Sequence, residues 1–437
     1  MNKNIQLTCT AALNTTLEKP SRQRFVLLAI LFLGISVAYL DRVNVAVIAA
    51  NEQFLLDMGI AGDPVRIGLV MSSFLFAYGL ANIVLSPLGD YLGPRKAMIT
   101  AYLVICGSLL IGGFAASFGV LLASRILLGV GEGLYYPMQN TLVKQWFPPA
   151  ERGRANTVWL LGQSIAPAVA MPAFTFLVSL YAWQSTFYLS FVLSMLPLIL
   201  IACLTSDRPA THKRVNSGER TYIEQALAAE KTGDASGDLA AKVLQAGVRG
   251  YLLDYRFWIL MLILASNSIL SWGLLSWFPT YLKQVRGFSW DSMGMLSALP
   301  FVFGLVAKIV AGVVIDRTGR SAVIIMVSAL TCTLALYLGV RVGNPYLASL
   351  AIATGIGMSS MQIPAVFTLL QGLVRAQNIS SAAGVLNGIA VGFGALSPVM
   401  IGWSTHLSGG FDAAFYLMIA VVLAGGGLAA ILAKQRL

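Results

Sequence analysis

Twelve apolar stretches, each close to the ~20 residues that a helix needs to cross a bilayer, dominate this chain. They fall at about 25–50, 66–88, 97–117, 120–142, 155–180 and 185–205, then at 257–281, 292–315, 321–341, 346–370, 380–406 and 411–433. Lipid offers no hydrogen bonds, so a spanning segment must satisfy its backbone internally, which a helix does. The expected fold class is therefore an all-α membrane protein with twelve transmembrane helices. Composition agrees: 57% of the residues are hydrophobic and 11% charged, against about 25% charged in an ordinary soluble domain.

The net charge of +11 raises the question of nucleic acid, and the position of the charges answers it. With both termini cytoplasmic, most of the basic residues fall on the inner side, including Arg22, Arg24, Arg95, Lys96, Arg152, Arg317 and Arg320. The polar segment at 206–256 lies on that side too. Outside remain Arg66, Lys283, Arg286 and Arg341, the bias that the positive-inside rule describes. The basicity is topological, and no nucleic-acid partner is expected.

The organisation follows: a cytoplasmic tail at 1–24, a six-helix bundle at 25–205, a linker at 206–256, a second six-helix bundle at 257–433 and a short cytoplasmic tail at 434–437. The polar N-terminus shows no cleavable signal, so the first helix serves as an uncleaved one. Within the linker, Ser217 precedes Tyr222, Ile223, Ala226 and Leu227, a pattern compatible with a capped surface helix. Lys308 reads as lying near the cytoplasmic end of helix eight, where a lysine can snorkel. Cys9, Cys106, Cys203 and Cys332 have no metal or redox spacing; the last three read as apolar packing residues. No metal and no cofactor are expected.

The two bundles resemble each other at a nearly constant offset. Asp90, Gly93 and Arg95 recur as Asp316, Gly319 and Arg320; Gly129, Gly131 and Pro137 recur as Gly355, Gly357 and Pro364. Parallel repeats of this kind place a substrate site at their interface, near the membrane midplane.

Ionisable residues inside spans are the other informative feature. Each costs about 2.5–3.5 kcal/mol at the membrane centre even on lenient scales, and such residues mark transport, proton relay or ligand pairing. Asp41 and Arg42 lie in the first span, and Arg125 and Glu132 in the fourth. Two arginines with two carboxylates suggest a proton-coupled carrier for an anion. Arg125 and Glu132, seven residues apart, share one face about 10.5 Å apart along the helix, so Arg125 is free to meet Asp41 or a substrate. Arg42 and Arg125 are the candidate anion ligands, since a planar guanidinium donates paired hydrogen bonds to a carboxylate and stays charged. Of the candidate proton carriers, Asp41 beside Arg42 should hold its charge more firmly than Glu132 among Gly129, Gly131 and Gly133. Those glycines allow either close helix packing or room for a ligand, and packing is the safer reading because small residues are common at membrane helix interfaces.

The repeat offset sets Asp41-Arg42 against Asn267-Ser268 and Glu132 against Met358, so the second half is expected to read substrate shape and hydroxyls. Its candidates are Trp272, Ser359, Ser360, Gln362 and Asn387, joined by Tyr39, Asn44, Tyr78 and Gln163 from the first half.

Two segments carry a family resemblance. Ser86-Pro87-Leu88-Gly89-Asp90-Tyr91-Leu92-Gly93-Pro94-Arg95-Lys96 and Gly312-Val313-Val314-Ile315-Asp316-Arg317-Thr318-Gly319-Arg320 resemble the paired loop signatures of the major facilitator superfamily. The first departs from the pattern at Ser86 and Tyr91. The resemblance implies that Asp90, Arg95, Asp316 and Arg320 act in gating, latching the cytoplasmic ends of the bundles. Arg125 to Gly133, Pro137, Trp146-Phe147-Pro148 and Glu151-Arg152, with Tyr39 to Asn44 and the glycine-rich stretch from Gly384 to Pro398, resemble the anion:cation symporter family.

The expected function is import of an organic carboxylate with protons by alternating access, sugar acids such as aldonates, aldarates or hexuronates being the first choice. The expected setting is a bacterial cytoplasmic (inner) membrane, with the carrier acting as a monomer. An organophosphate antiporter is the alternative carrier, although it would want a cation from each half and helix seven has none. A non-transporting anion sensor is the alternative outside transport, and the linker is short for one. No phosphate loop, cofactor fingerprint or nucleophile-base arrangement points to an enzyme.

Overall fold

The computed structural model describes residues 19–85, 88–235, 251–374 and 379–434, and every regular element among them is helical. Twelve helical segments are long and apolar enough to cross a membrane, making this a multi-pass membrane protein. We number them α1 (Gln23–Ile48), α2 (Pro64–Val84), α3 (Pro94–Gly113), α4 (Phe118–Trp146), α5 (Pro149–Leu180) and α6 (Gln184–Leu204). The second six are α7 (Tyr255–Gln284), α8 (Trp290–Thr318), α9 (Ser321–Arg341), α10, α11 (Ile379–Ser408) and α12 (Asp412–Lys434). Local chemistry sets their ends. Pro64, Pro94, Pro149 and Pro345 open helices, where a missing N–H costs nothing. Side chains of Asp63, Ser117, Ser289 and Asn344 cap the first free amides.

Helix α10 is broken into Pro345–Ser359 and Gln362–Leu373. Pro364 cannot donate to the carbonyl four residues back, at Ser360, and that lost bond marks the break. The carbonyls nearby find other donors: Asn267 Nδ2 donates to Ser359 O at 2.7 Å, and Ser328 Oγ to Met358 O at 2.8 Å.

The packing repeats between halves. In the first, α1 packs on α5, α2 and α3 on α4, and α3 on α6; in the second, α7 packs on α11, α8 and α9 on α10, and α9 on α12. The halves meet along α2 against α11 and α5 against α8, with α1 facing α7. The close approaches lie at the end of the bundle opposite the termini: a Cβ added at Gly68 would fall 2.5 Å from Pro398 O, and one at Gly294 would fall 2.7 Å from Thr175 Cβ.

The glycines of α4 resolve into packing. An added Cβ would sit 2.5 Å from Phe74 O at Gly129, 2.9 Å from Ala101 O at Gly131 and 2.6 Å from Tyr78 O at Gly133. They let α4 lie backbone to backbone on α2 and α3.

At the opposite end, the linker helix Ser217–Ala235 docks rather than floating. Asn216, one residue before the serine singled out by sequence, accepts from Glu219 N at 2.9 Å. Glu219 is fully buried and caps α1: it accepts from Gln23 N, Arg24 N and Arg24 Nη1 at 3.1, 3.2 and 3.0 Å, and from the Ser21 hydroxyl. Arg24 continues to Glu151 on α5 at 3.0 Å. Arg95 binds the end of α6 and the start of the linker, its N–H donating to Asp207 Oδ1 and its Nη2 to Ala202 O. Arg320 is exposed, and the side chains of Asp90 and Asp316 lie outside the described residues. Cys106 and Cys332 pack inside as expected, but Cys203 is exposed, and Cys9 lies outside the described residues.

Candidate functional site

Successive helical residues point about 100° apart, and that angle separates Asp41 from Arg42. Arg42 turns toward α4, where its Nε donates to Glu132 Oε2 at 2.5 Å. Both side chains are almost wholly buried. Asp41 turns instead toward α6, where Ser194 Oγ donates to its Oδ2 at 3.1 Å; its Oδ1 has no partner among the described residues. The sequence reading set Arg42 against Asp41 and left Glu132 among glycines. The geometry differs in the pairing: Glu132 neutralises Arg42, while the glycines serve helix packing.

Aromatic rings surround the guanidinium of Arg42, with its Cζ 4.2 Å from the Tyr39 centroid, 4.4 Å from Tyr78 and 5.5 Å from Phe74. Trp272 reaches it from α7 of the other half at 5.8 Å. Stacking of this kind holds a weakly hydrated, planar cation in place while leaving its N–H edges free to choose an acceptor. Arg125 lies above the other end of the same wall, 5.0 Å from Phe74. It is 2% exposed, and its Nε and Nη1 have no hydrogen-bond partner among the described residues. A buried guanidinium with free donors is costly unless an anion arrives to meet it.

Tyr136, one turn beyond Glu132, extends the wall. Its ring stands edge-on to Tyr78 at 6.5 Å and to Trp159 at 5.6 Å, and Gln163 donates to its hydroxyl at 3.5 Å. In the second half, Ser359, Ser360 and Gln362 gather at the break in α10. Ser359 is 3.4 Å from Ser271 Oγ, and Gln362 is buried with its Oε1 unpartnered among the described residues. Asn44 and Asn387 are not brought to this cluster. Asn44 is two positions on from Arg42, about 200° around α1, and is fully buried with an unpartnered amide; Asn387 is exposed on α11.

Phe74, Tyr136 and Asn267 were absent from the sequence candidates. Tyr136 could have been found from its i+4 spacing to Glu132. Asn267 was marked only as the repeat counterpart of Asp41, a position from which it donates to the break in α10; Phe74 carries no such signal, because apolar rings are ordinary in spans.

A family model described as Major Facilitator Superfamily matches residues 31–396. Among curated proteins, the chain is 26% identical to the hexuronate transporter of Bacillus subtilis (strain 168), over 94% of this chain and 93% of that protein. It is 26% identical to the D-galactonate transporter of Escherichia coli O6:H1, over 93% and 95%. A probable sulfoacetate transporter of Cupriavidus necator is 29% identical over 68% of this chain and 66% of its own length. Among solved structures, a bacterial homologue of the human lysosomal transporter Spinster, inward-facing and occupied, superposes with a TM-score of 0.76 at 15% identity, covering 95% of this chain and 97% of that one.

Proposed function

The chain belongs to the Major Facilitator Superfamily, and from that premise we propose that it imports an organic carboxylate, a sugar acid first among them, by proton symport. The observation that carries the proposal is the buried Arg42–Glu132 pair inside an aromatic box shared by both halves. In this reading a proton on Glu132 removes the arginine's internal partner, and the substrate carboxylate takes its place. The swap keeps the buried charge compensated throughout, which matters because an unpaired buried charge costs several kcal/mol. Arg125, with its free donors, supplies the second cation, and Asp41 a second proton site. In the same reading Tyr39, Tyr78, Gln163, Trp272, Ser359, Ser360 and Gln362 read shape and hydroxyls. The hexuronate and galactonate relatives favour this substrate class. Sealing the far end while the near end opens, and the reverse, gives alternating access, with the termini in the cytoplasm of a bacterial cell.

Proteoliposomes test it. Wild type should take up protons when one class of sugar acid is added outside, while Glu132→Gln should lose at least tenfold in proton entry yet retain substrate exchange. Accumulation by Glu132→Gln with an unchanged pH dependence would remove Glu132 from the coupling; proton-silent exchange of sugar phosphates by the wild type would replace the symporter with an antiporter.

A further inference from the structure

Lys308 is a membrane charge that this reading does not use, and its surroundings differ from those of a snorkelling lysine. It lies ten residues before the end of α8 at Thr318, about 15 Å along the axis, beyond the reach of its own side chain to that end. Its amine instead crosses the boundary between the halves, to Ser164 Oγ of α5 at 3.4 Å. Among the described residues no carboxylate pairs with it: the membrane-embedded acids Asp41 and Glu132 bond to Ser194 and Arg42. A neutral hydroxyl at that distance is weak compensation for an ammonium inside a bilayer.

The amine is also in register with the site. Ser164 follows Gln163, which bonds Tyr136, which in turn stands against Tyr78 of the box around Arg42. On its own helix, Lys308 lies one turn from Gly304, where an added Cβ would fall 2.9 Å from Ser360 Oγ at the break in α10. Lys308 thus lies where α5, α8 and the α10 break converge, on the opposite half from Arg42 and Arg125.

We infer that Lys308 is a specificity-determining cation that binds the second anionic group of a dianionic organic acid, such as an aldarate. This rests on the carboxylate reading above. With Arg42 and Arg125 on one half and Lys308 on the other, a dianion would bridge the halves and draw them together, whereas a monoanion would use the first half alone. Ser164 then keeps the amine pointed across the boundary when substrate is absent.

The test compares a six-carbon aldonate with the aldarate of the same configuration, two probes that differ by one terminal carboxylate. Binding to the purified protein is measured by quenching of tryptophan fluorescence and checked by competition for uptake in proteoliposomes. Wild type should bind the aldarate at least tenfold more tightly than the aldonate. Lys308→Gln should lose that preference while its aldonate affinity stays within about twofold, which also reports correct folding; Lys308→Arg should keep most of the preference. Equal weakening of both acids by Lys308→Gln, or a wild type without preference for the aldarate, overturns the inference. Failure of the underlying reading looks different: wild type then binds neither acid, and the role of Lys308 falls with it.

Discussion

At the scale of single residues, what matters is which group each buried charge faces. Arg42 combines a charge-assisted bond to Glu132 at 2.5 Å with cation–π contacts to Tyr39 and Tyr78, and a lysine keeps the charge but not the planar fork of donors that can hold Glu132 and a substrate carboxylate in turn. Arg42→Lys should therefore fold, because Glu132 keeps a cation, but should transport at least tenfold more slowly. Arg42→Gln, which strands a buried carboxylate, should lose about 3–5 kcal/mol and fail to accumulate as folded protein. Uptake assays paired with thermal unfolding of the detergent-purified variants check both; an Arg42→Lys variant with wild-type uptake would reduce Arg42 to a structural ion. The four charges were conspicuous in the sequence, since ionisable residues are rare in apolar spans. Their partners were not, because adjacency along the chain is not adjacency in space: Asp41 and Arg42 are neighbours that face α6 and α4 respectively.

At the scale of helices, the glycines of α4 fix where Glu132 and Arg125 can stand. Gly129 and Gly133 bring the α4 backbone onto that of α2, which sets Tyr78 and Phe74 beside the two arginines. Gly133→Leu would force a side chain into the Tyr78 carbonyl, an overpacking cost of about 1–3 kcal/mol. Its thermal midpoint should fall by several degrees, with substrate binding weakened because the box is displaced. Gly107→Ala on α3, whose added Cβ would meet nothing within 4 Å, is the matched control and should be neutral. A Gly133→Leu variant as stable as that control would mean that α4 and α2 do not pack as described. Sequence alone made packing the safer reading of these glycines, because small residues are common at membrane helix interfaces; the distance to the opposing backbone is what separates it from ligand space. The break in α10 was similarly hidden. Pro137 and Pro364 correspond in the repeat, yet α4 continues through its proline, while α10 is interrupted, with Asn267 and Ser328 donating to carbonyls beside its break.

At the scale of the whole molecule, hydropathy and the repeat made the twelve spans and two bundles legible, but no one-dimensional pattern records which end of the bundle is shut. The described contacts between halves concentrate opposite the termini, where Gly68 meets Pro398, Gly402 meets Pro64, Gly294 meets Thr175 and Val399 N donates to Ser72 Oγ at 3.3 Å. Backbone-to-backbone closure of this kind involves few side chains and little buried charge, so parting it costs less than breaking a polar network would. A carrier that works by alternating access has to part these helices in every cycle. The Ser72→Cys/Val399→Cys pair, made with Cys203→Ser to remove the thiol exposed among the described residues and with Cys9→Ser, should therefore abolish net transport on oxidation and recover it with reductant. Substrate binding from the side of the termini should persist in the oxidised protein, since Arg42 and Glu132 lie deeper than the cross-link only when approached from the far end. Undiminished transport by fully cross-linked protein would mean that α2 and α11 move as one body, and that the opening lies between α5 and α8 alone.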